Sequence, residues 1–223
     1  MELTAPESRV LGCLLEKELA TPQYYPLTLN SLVAACNQSS NRDPVVQYGD
    51  GDVAGAVAQL REKALARVVH SSGQRADKYR HAVDTRWGLD EQHRAVLAVL
   101  LLRGPQTAGE LRIRTDRLAS FDSLGEVEEV LGLLARREEP LARQLDRAPG
   151  QKEARWIELL SDAAAVGQSA FAPFAGPTAS PVGMAPPVPP DPTEIEMLRA
   201  EVAELRELVE LLLRSTRPDA SLG

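Results

Sequence analysis

The same order of elements, three helices followed by a β-hairpin, is predicted twice along this sequence. In the first copy, apolar side chains recur at helical spacing within residues 7–18, 28–36 and 53–64. Alternating apolar residues on either side of a Ser-Gly-Gln turn predict the hairpin within residues 67–83. Helix, helix, helix, hairpin is the order of a winged helix. We therefore expect a mainly α fold with small β-hairpins (α+β).

The second copy carries its helix-end signals at matching points. An apolar helix at residues 93–103 stops at Gly104-Pro105. Thr107 with Glu110, and Ser123 with Glu126, have the spacing of capping boxes that open two more helices. Residues 141–145 and 154–160, on either side of Pro149-Gly150, predict the second hairpin. The expected organisation is two closely joined winged-helix domains, residues 1–86 and 87–162.

The stretch Tyr25–Pro44 changes character abruptly. Thr28 predicts a helix N-cap, and residues 29–36 then place their apolar side chains on one stripe. After Cys36 the chain becomes polar and rich in amides, and Pro44 prevents a helix from continuing. This pattern is typical of the corner of a helix-turn-helix.

The composition changes again after residue 162. Residues 163–190 are rich in Ala, Gly and Pro and predict a flexible to semi-rigid linker. Residues 191–214 predict a coiled-coil helix, because β-branched residues at a and Leu at d favour a parallel dimer. Its core positions are Ile195, Leu198, Val202, Leu205, Val209 and Leu212. The alternative is one amphipathic helix docked on its own domain; residues 215–223 predict a disordered tail.

Composition excludes several classes of protein. A hydrophobic content of 43% excludes disorder of the whole chain, and 4% aromatic residues make an all-β sandwich a poor fit. The longest apolar run, residues 95–102, is too short to cross a bilayer, and we expect a cytoplasmic protein with no membrane partner. The net charge is −7, of which −5 falls after residue 160. With the body near neutrality, nucleic-acid binding would need a local basic face.

No pattern of catalytic or metal-binding residues stands out. His70, His81 and His93 are scattered, and the sequence contains no HExxH, GxSxG, phosphate loop or GxGxxG. Cys13 and Cys36 lie within apolar helical stripes, which predicts buried free thiols. We expect no enzyme, no catalytic residue, no metal site and no cofactor.

Polar side chains at the corner and basic side chains elsewhere are the candidates for nucleic-acid contact, because amides can pair with adenine edges and cations with phosphates. They are Asn37, Gln38, Asn41 and Arg42 at the corner, Arg75, Lys78, Arg147 and Lys152 on the hairpins, and Arg112, Arg114 and Arg117 beside the short helix of the second copy. Alternatively, the corner residues satisfy the last carbonyls of the preceding helix, and the arginine cluster is a solvated face.

The third helix of each copy argues against ordinary reading of DNA bases. Its N-terminal part enters the major groove in a helix-turn-helix. Here that part carries Asp50 and Asp52 in one copy, and Glu126, Glu128 and Glu129 in the other, which would repel phosphates. Two hypotheses stay open: a DNA-associated regulatory protein, and an adaptor that binds other proteins through its winged helices.

Four segments resemble the YceH-like family of bacterial proteins. They are Leu3–Glu18, Tyr25–Val45, Leu101–Leu118 and Pro149–Trp156. The resemblance implies tandem winged helices and a cytosolic bacterial setting, and it implies no reaction because that family has no assigned function. Ser39 departs from the family pattern, which usually has Lys there, so the corner lacks one positive charge.

Overall fold

The computed structural model describes residues 2–70, 77–147 and 150–161. About half of these residues are helical, and the strands form two small antiparallel sheets. The elements, in chain order, are α1 (Ala5–Ala20), β1 (Leu27–Thr28), α2 (Leu29–Cys36), α3 (Asp50–Glu62), β2 (Ala66–Val69), β3 (Lys78–His81), α4 (Val83–Trp87), α5 (Glu91–Arg103), α6 (Ala108–Thr115), α7 (Leu124–Ala135), β4 (Ala142–Gln144) and β5 (Trp156–Glu158). The predicted linker, coiled-coil helix and tail, residues 163–223, lie outside the described residues.

Side-chain caps start several helices where the sequence predicts them. The Thr28 hydroxyl accepts the Ser31 N–H at the start of α2, and the Thr107 hydroxyl accepts the Glu110 N–H at the start of α6. Ser123 caps α7 in the same way. These three ends are confirmed, because a hydroxyl at the N-cap satisfies a backbone N–H that has no partner inside the helix.

Three helix starts differ from the prediction. Helix α5 begins at Glu91, two residues before His93, because Asp90 occupies its N-cap and accepts the His93 N–H. Helix α1 begins two residues before Glu7, because Thr4 occupies the N-cap and its N–H donates to the Glu7 carboxylate at 2.6 Å. Helix α3 begins at Asp50, three residues before the predicted apolar stripe, and has Gly49 at its N-cap. Asp52 acts from inside the first turn, where its carboxylate accepts the Gly49 N–H at 2.9 Å.

Each half closes with an antiparallel hairpin, as the alternating apolar pattern predicts. In the first sheet, β3 lies between β1 and β2, so that Tyr79 faces Leu27 on one side and Val68 on the other. In the second sheet, β4 pairs with β5. A further bridge joins Gln106, just before α6, to Trp156 of β5. The segment before the second helix therefore pairs with the second hairpin strand in both halves, which extends the internal repeat.

Strand β3 ends at His81, two residues earlier than predicted. The Ala82 N–H donates to the Leu65 carbonyl at 2.8 Å, and the Val83 N–H donates to His81 Nδ1 at 3.3 Å. These bonds turn the chain out of the ladder and into the short helix α4, so Val83 is helical and not part of the strand.

One contiguous cluster of buried apolar side chains runs through both halves. Helices α1 and α5 pack closely at Gly12, because a Cβ atom there would lie only 2.8 Å from Leu102 Cγ. The buried part of α5 spans all of residues 95–102. The domain boundary predicted near residue 86 therefore divides a shared core, and the division into two domains stays an interpretation of the repeat.

Candidate functional site

A cleft of about 340 Å³ opens where α1 and the turn after α2 face α5 and α6. Its cationic lining residues are Lys17, Arg103, Arg114 and Arg117, and we call it the basic cleft. Glu16 is the one carboxylate that lines it within the described part of the chain. Its larger apolar lining residues are Val99, Leu102 and Leu118.

Three helix ends bring these cations together. Lys17 lies in the last turn of α1, Arg103 is the last residue of α5, and Arg114 lies in the last turn of α6. Cations are favourable at the C-terminal ends of helices, since they interact with the unpaired carbonyls there. The interaction with the helix end explains why each cation occurs where it does, and the carbonyls also offset part of the positive potential. It does not explain why the three helix ends meet at one cleft.

The two carboxylates paired with cations of the basic cleft are each shared with an arginine outside it. Glu16 binds Arg42 at 2.6 Å and Lys17 at 3.3 Å. Glu110 lies 3.8 Å from Arg114 but only 2.8 Å from Arg155. Arg117 has no ion pair among the described residues. The cations of the cleft therefore exceed the carboxylates that can neutralise them.

Arg103 is held in place by an uncharged partner. Its Nη1 donates to Asn41 Oδ1 at 2.8 Å. Burial lowers the pKa of Arg103, and the positive charge of the neighbouring Arg114 lowers it further. Two cations thus lie close to each other at the cleft, and an anion placed between them would relieve their repulsion.

Arg42, predicted as a phosphate contact, is buried and has a different role. Its carboxylate partner is Glu16, which accepts from Nη1 at 3.0 Å and from Nη2 at 2.6 Å. Its other acceptors are the Ala35 and Asn41 carbonyls and the Gln38 side chain. All five N–H groups therefore have acceptors within the protein, and we remove Arg42 from the candidate phosphate contacts.

The corner amides divide between structural roles and the cleft. Asn37 binds both the N–H and the carbonyl of Tyr48, each at 2.8 Å, which fixes the end of the corner. Gln38 and Asn41 line the basic cleft. Asn41 has a positive φ of 58°, a conformation that Asn tolerates better than most residues. Asn37 thus has a structural role, although its side chain binds Tyr48 and not the last carbonyls of α2, whereas Gln38 and Asn41 line the cleft together with the arginines.

The remaining candidates are distributed over other surfaces. Arg112 is exposed on α6, and its guanidinium lies 3.4 Å from the Asp122 carbonyl. Lys78 is half-buried on β3, whereas Arg147 and Lys152 are exposed near the second hairpin. Arg75 lies outside the described residues.

The acidic first turns of α3 and α7 are engaged in capping or exposed to solvent. Asp52 caps α3, and Glu126 accepts the Asp122 N–H at 2.9 Å. Glu128 and Glu129 are exposed. Neither helix therefore presents a positive end to a DNA groove.

Sequence reasoning missed Lys17 and Arg103. They lie on helices far apart in sequence, and each carries only the ordinary signal of a cation at a helix C-terminus. The packing of α1 on α5 brings them to the same cleft as the arginines of α6, and no local pattern encodes that contact.

Other chemistry has little support in the described residues. Residues 2–70, 77–147 and 150–161 contain no cluster of three His, Cys, Asp or Glu side chains that would hold a metal ion. Cys13 and Cys36 are buried free thiols, as predicted. Within the same ranges, no helix has the length and apolar character needed to cross a membrane.

Comparison with known proteins gives a consistent family match. The family model described as "Protein of unknown function, DUF480" matches residues 3–151. A UPF0502 protein of Geobacter metallireducens is 54% identical over 175 residues, which cover 78% of this chain and 80% of the relative. A UPF0502 protein of Chromobacterium violaceum is 42% identical over 206 residues, which cover 92% and 91%. The resemblance to an uncharacterised bacterial family is confirmed.

Proposed function

Because the chain belongs to the DUF480 family of bacterial proteins, whose function is unassigned, we propose its function from the basic cleft. We infer that the protein is a non-enzymatic tandem winged-helix protein that associates with DNA in a regulatory role. It holds backbone phosphates in the cleft and makes few contacts with bases. A cytoplasmic location is part of the same proposal.

The observation that carries this proposal is the meeting of four cations from both halves of the repeat. Lys17 comes from the first half, whereas Arg103, Arg114 and Arg117 come from the second. Lys and Arg are the side chains that neutralise DNA phosphates, and such contacts supply most of the binding that does not depend on sequence. The acidic first turns of α3 and α7 fit backbone contact better than reading of base edges.

The test is a titration of mixed-sequence duplex DNA with the full chain over a salt series, followed by fluorescence anisotropy. The logarithm of the binding constant should fall linearly with the logarithm of salt concentration, with a slope of about −0.9 per phosphate contact. The variant Arg114→Ala/Arg117→Ala should bind DNA more weakly. Its slope should be shallower by the contribution of about two phosphate contacts.

The matched control is Arg61→Ala/Arg143→Ala. Both of these arginines are exposed and lie outside the cleft. This variant has the same change in net charge and should keep the wild-type slope. The proposal fails if the wild type does not bind at low salt, if binding does not depend on salt, or if both double variants lose affinity equally.

A second candidate function, an adaptor for other proteins, is favoured by exposed apolar side chains. Ile113 on α6 is 78% exposed, and Leu124 and Leu133 on α7 are 41% and 45% exposed. Exposed apolar side chains suit a protein partner better than a nucleic acid, and those on α7 also lie on a helix with an acidic N-terminal part. Pull-down of the full chain from a native lysate tests this function. Recovery of DNA with no protein partner contradicts the adaptor function.

A further inference from the structure

We propose that the basic cleft also binds a small ligand with two linked phosphate groups, and that this ligand displaces DNA; the displacement rests on the proposed function. The ligand is identified by its chemistry, a compact anion with a diphosphate group. The argument depends on the size of the cleft, on the placement of its cations and on how they are fixed.

The dimensions of the cleft suit a small molecule. Its volume of about 340 Å³ lies within the range of roughly 300–1,000 Å³ typical of small-ligand sites. The lining residues come from both halves of the repeat, and Val99, Leu102 and Leu118 are the larger apolar side chains among them.

The charges favour two phosphates over one. Lys17, Arg103, Arg114 and Arg117 line the same volume. A monophosphate has a single cluster of oxygens, whereas a diphosphate has two and can reach cations on both walls at once. Guanidinium groups suit this ligand because their planar fork binds phosphate oxygens in pairs.

The acidic side chains around the cleft do not take the place of the anionic ligand. Glu16 is neutralised by Arg42 and Lys17, and Glu110 is shared between Arg114 and Arg155. Asp43 and Glu110 favour the charged form of Arg103, whereas burial and the charge of Arg114 lower its pKa. Arg117 is exposed and has no ion pair among the described residues, so its charge is left for an added anion to balance.

Part of the site is arranged before the ligand arrives. Asn41 accepts from Arg103 at 2.8 Å, and the backbone next to it is fixed by a hydrogen bond from the Asp43 N–H to the Leu102 carbonyl at 2.8 Å. These two bonds join the turn after α2 to the end of α5. Because Arg103 is already oriented, less conformational entropy is lost when the anion binds.

The experiment is calorimetric titration of the full chain with inorganic pyrophosphate at constant ionic strength, with inorganic phosphate and sulfate as comparison anions. We expect saturable binding of one pyrophosphate per chain, at least about tenfold tighter than either comparison anion. Arg114→Ala/Arg117→Ala should weaken binding at least about tenfold, and Arg61→Ala/Arg143→Ala should leave it unchanged.

Arg117→Ala alone guards against loss of folding, because Arg117 is exposed and has no ion pair among the described residues. It should retain the wild-type melting temperature and still bind pyrophosphate less tightly. Absence of saturable binding, equal affinity for all three anions, or equal loss in the control variant overturns the inference.

The two proposals fail separately. If the protein binds DNA but binds no pyrophosphate, and pyrophosphate does not compete with DNA, the ligand site is overturned and the proposed function stands. Saturable pyrophosphate binding in a protein with no affinity for DNA overturns the proposed function and supports the ligand site.

Discussion

At the scale of single residues, Arg42 and Glu16 hold the turn after α2 against α1. The guanidinium is buried and binds the carboxylate through two N–H groups. It also satisfies the Ala35 carbonyl at the end of α2, which has no partner inside the helix. The pair therefore fixes one side of the basic cleft, which Glu16 lines and Arg42 does not.

We predict that Arg42→Ala lowers the free energy of unfolding by about 2–4 kcal/mol, since it leaves a mostly buried carboxylate with Lys17 alone and two carbonyls with fewer partners. Chemical denaturation measures the change. The control is Arg112→Ala, an exposed arginine whose loss should cost less than about 0.5 kcal/mol. A loss below about 1 kcal/mol for Arg42→Ala would show that the pair contributes little.

Glu16 also predicts how stability depends on pH. Burial raises the pKa of Glu16, but the hydrogen bond and charge of Arg42 and the charge of Lys17 outweigh it, so the pKa lies below its ordinary value of 4.5. A carboxylate with a lowered pKa in the folded state stabilises the fold above its unfolded pKa. This contribution is lost as the pH falls through the folded pKa.

The contribution of Glu16 to the free energy of unfolding should therefore be constant above about pH 6, where the unfolded carboxyl is ionised as well, and should fall as the pH decreases towards 4.5 and below. Denaturation curves across this range provide the measurement. Glu16→Gln should be less stable at neutral pH and should show a shallower fall at acid pH, whereas the exposed Glu128→Gln should follow the wild type. Equal acid slopes in the wild type and Glu16→Gln contradict this assignment.

The limits of prediction are clear at this scale. The polar composition of Asn37–Asp43 predicts a turn, because the side chains of Asn, Ser and Asp compete with the helix for backbone hydrogen bonds. It does not show which side chains point inward. Arg42 binds Glu16, which lies twenty-six positions earlier in the sequence, and Asn37 binds Tyr48, which lies eleven positions later. Such partners depend on the tertiary fold.

At the scale of elements, the close approach of α1 and α5 forms the framework of the described structure. Gly12 makes it possible, since any side chain there would meet Leu101 and Leu102. Helix α5 is buried along residues 95–102, which is typical of a central helix with neighbours on several sides. Its C-terminal end delivers Arg103 to the basic cleft.

The contact predicts opposite effects for the same substitution at two helical glycines. Gly12→Ala should lower the free energy of unfolding by about 1–3 kcal/mol, because its Cβ would lie 2.8 Å from Leu102 Cγ and the core must move. Gly55→Ala in α3 should raise the free energy of unfolding by about 0.5–1 kcal/mol. The added Cβ atom would have no atom of another part of the protein within 4 Å, and Ala favours the helix more than Gly does. Thermal and chemical denaturation measure both. A stabilised Gly12→Ala variant would contradict the packing of α1 on α5.

Helices and hairpins are predictable here because their signals are local. The apolar spacing of α2 and α7 and the hydroxyl caps of Thr28 and Thr107 depend on neighbouring residues only. Strand β1 has two residues, too few to show an alternating pattern, so it was missed. The alternation of apolar residues continues through Val83 and predicts a strand there, although the backbone at Val83 no longer pairs with β2.

At the scale of the whole molecule, the basic cleft exists only because the two halves of the repeat share one core. Gln38 and Asn41 come from the first half, and Arg114 and Arg117 come from the second. The sequence indicates both groups separately as candidates for nucleic-acid contact. Their convergence follows from the docking of α1 on α5, which pattern reasoning does not predict.

The homodimer predicted through residues 191–214 also belongs at this scale. Its heptads lie outside the described residues, and the dimer stays a prediction. Deletion of residues 191–213 should halve the mass measured by light scattering after size-exclusion chromatography, whereas deletion of residues 215–223 should leave the oligomeric state unchanged. An unchanged oligomeric state after the first deletion rules out dimerisation through this segment.

The central claim is that cations from both halves of the repeat bind phosphates at one cleft. Its most direct test is a ¹H–¹⁵N NMR titration of the full chain with a mixed-sequence duplex. We predict that the amides around Lys17, Asn41, Arg103 and Arg117 shift together with one midpoint. Shifts confined to the hairpins or to the first turns of α3 and α7, or no shifts at low salt, would contradict it.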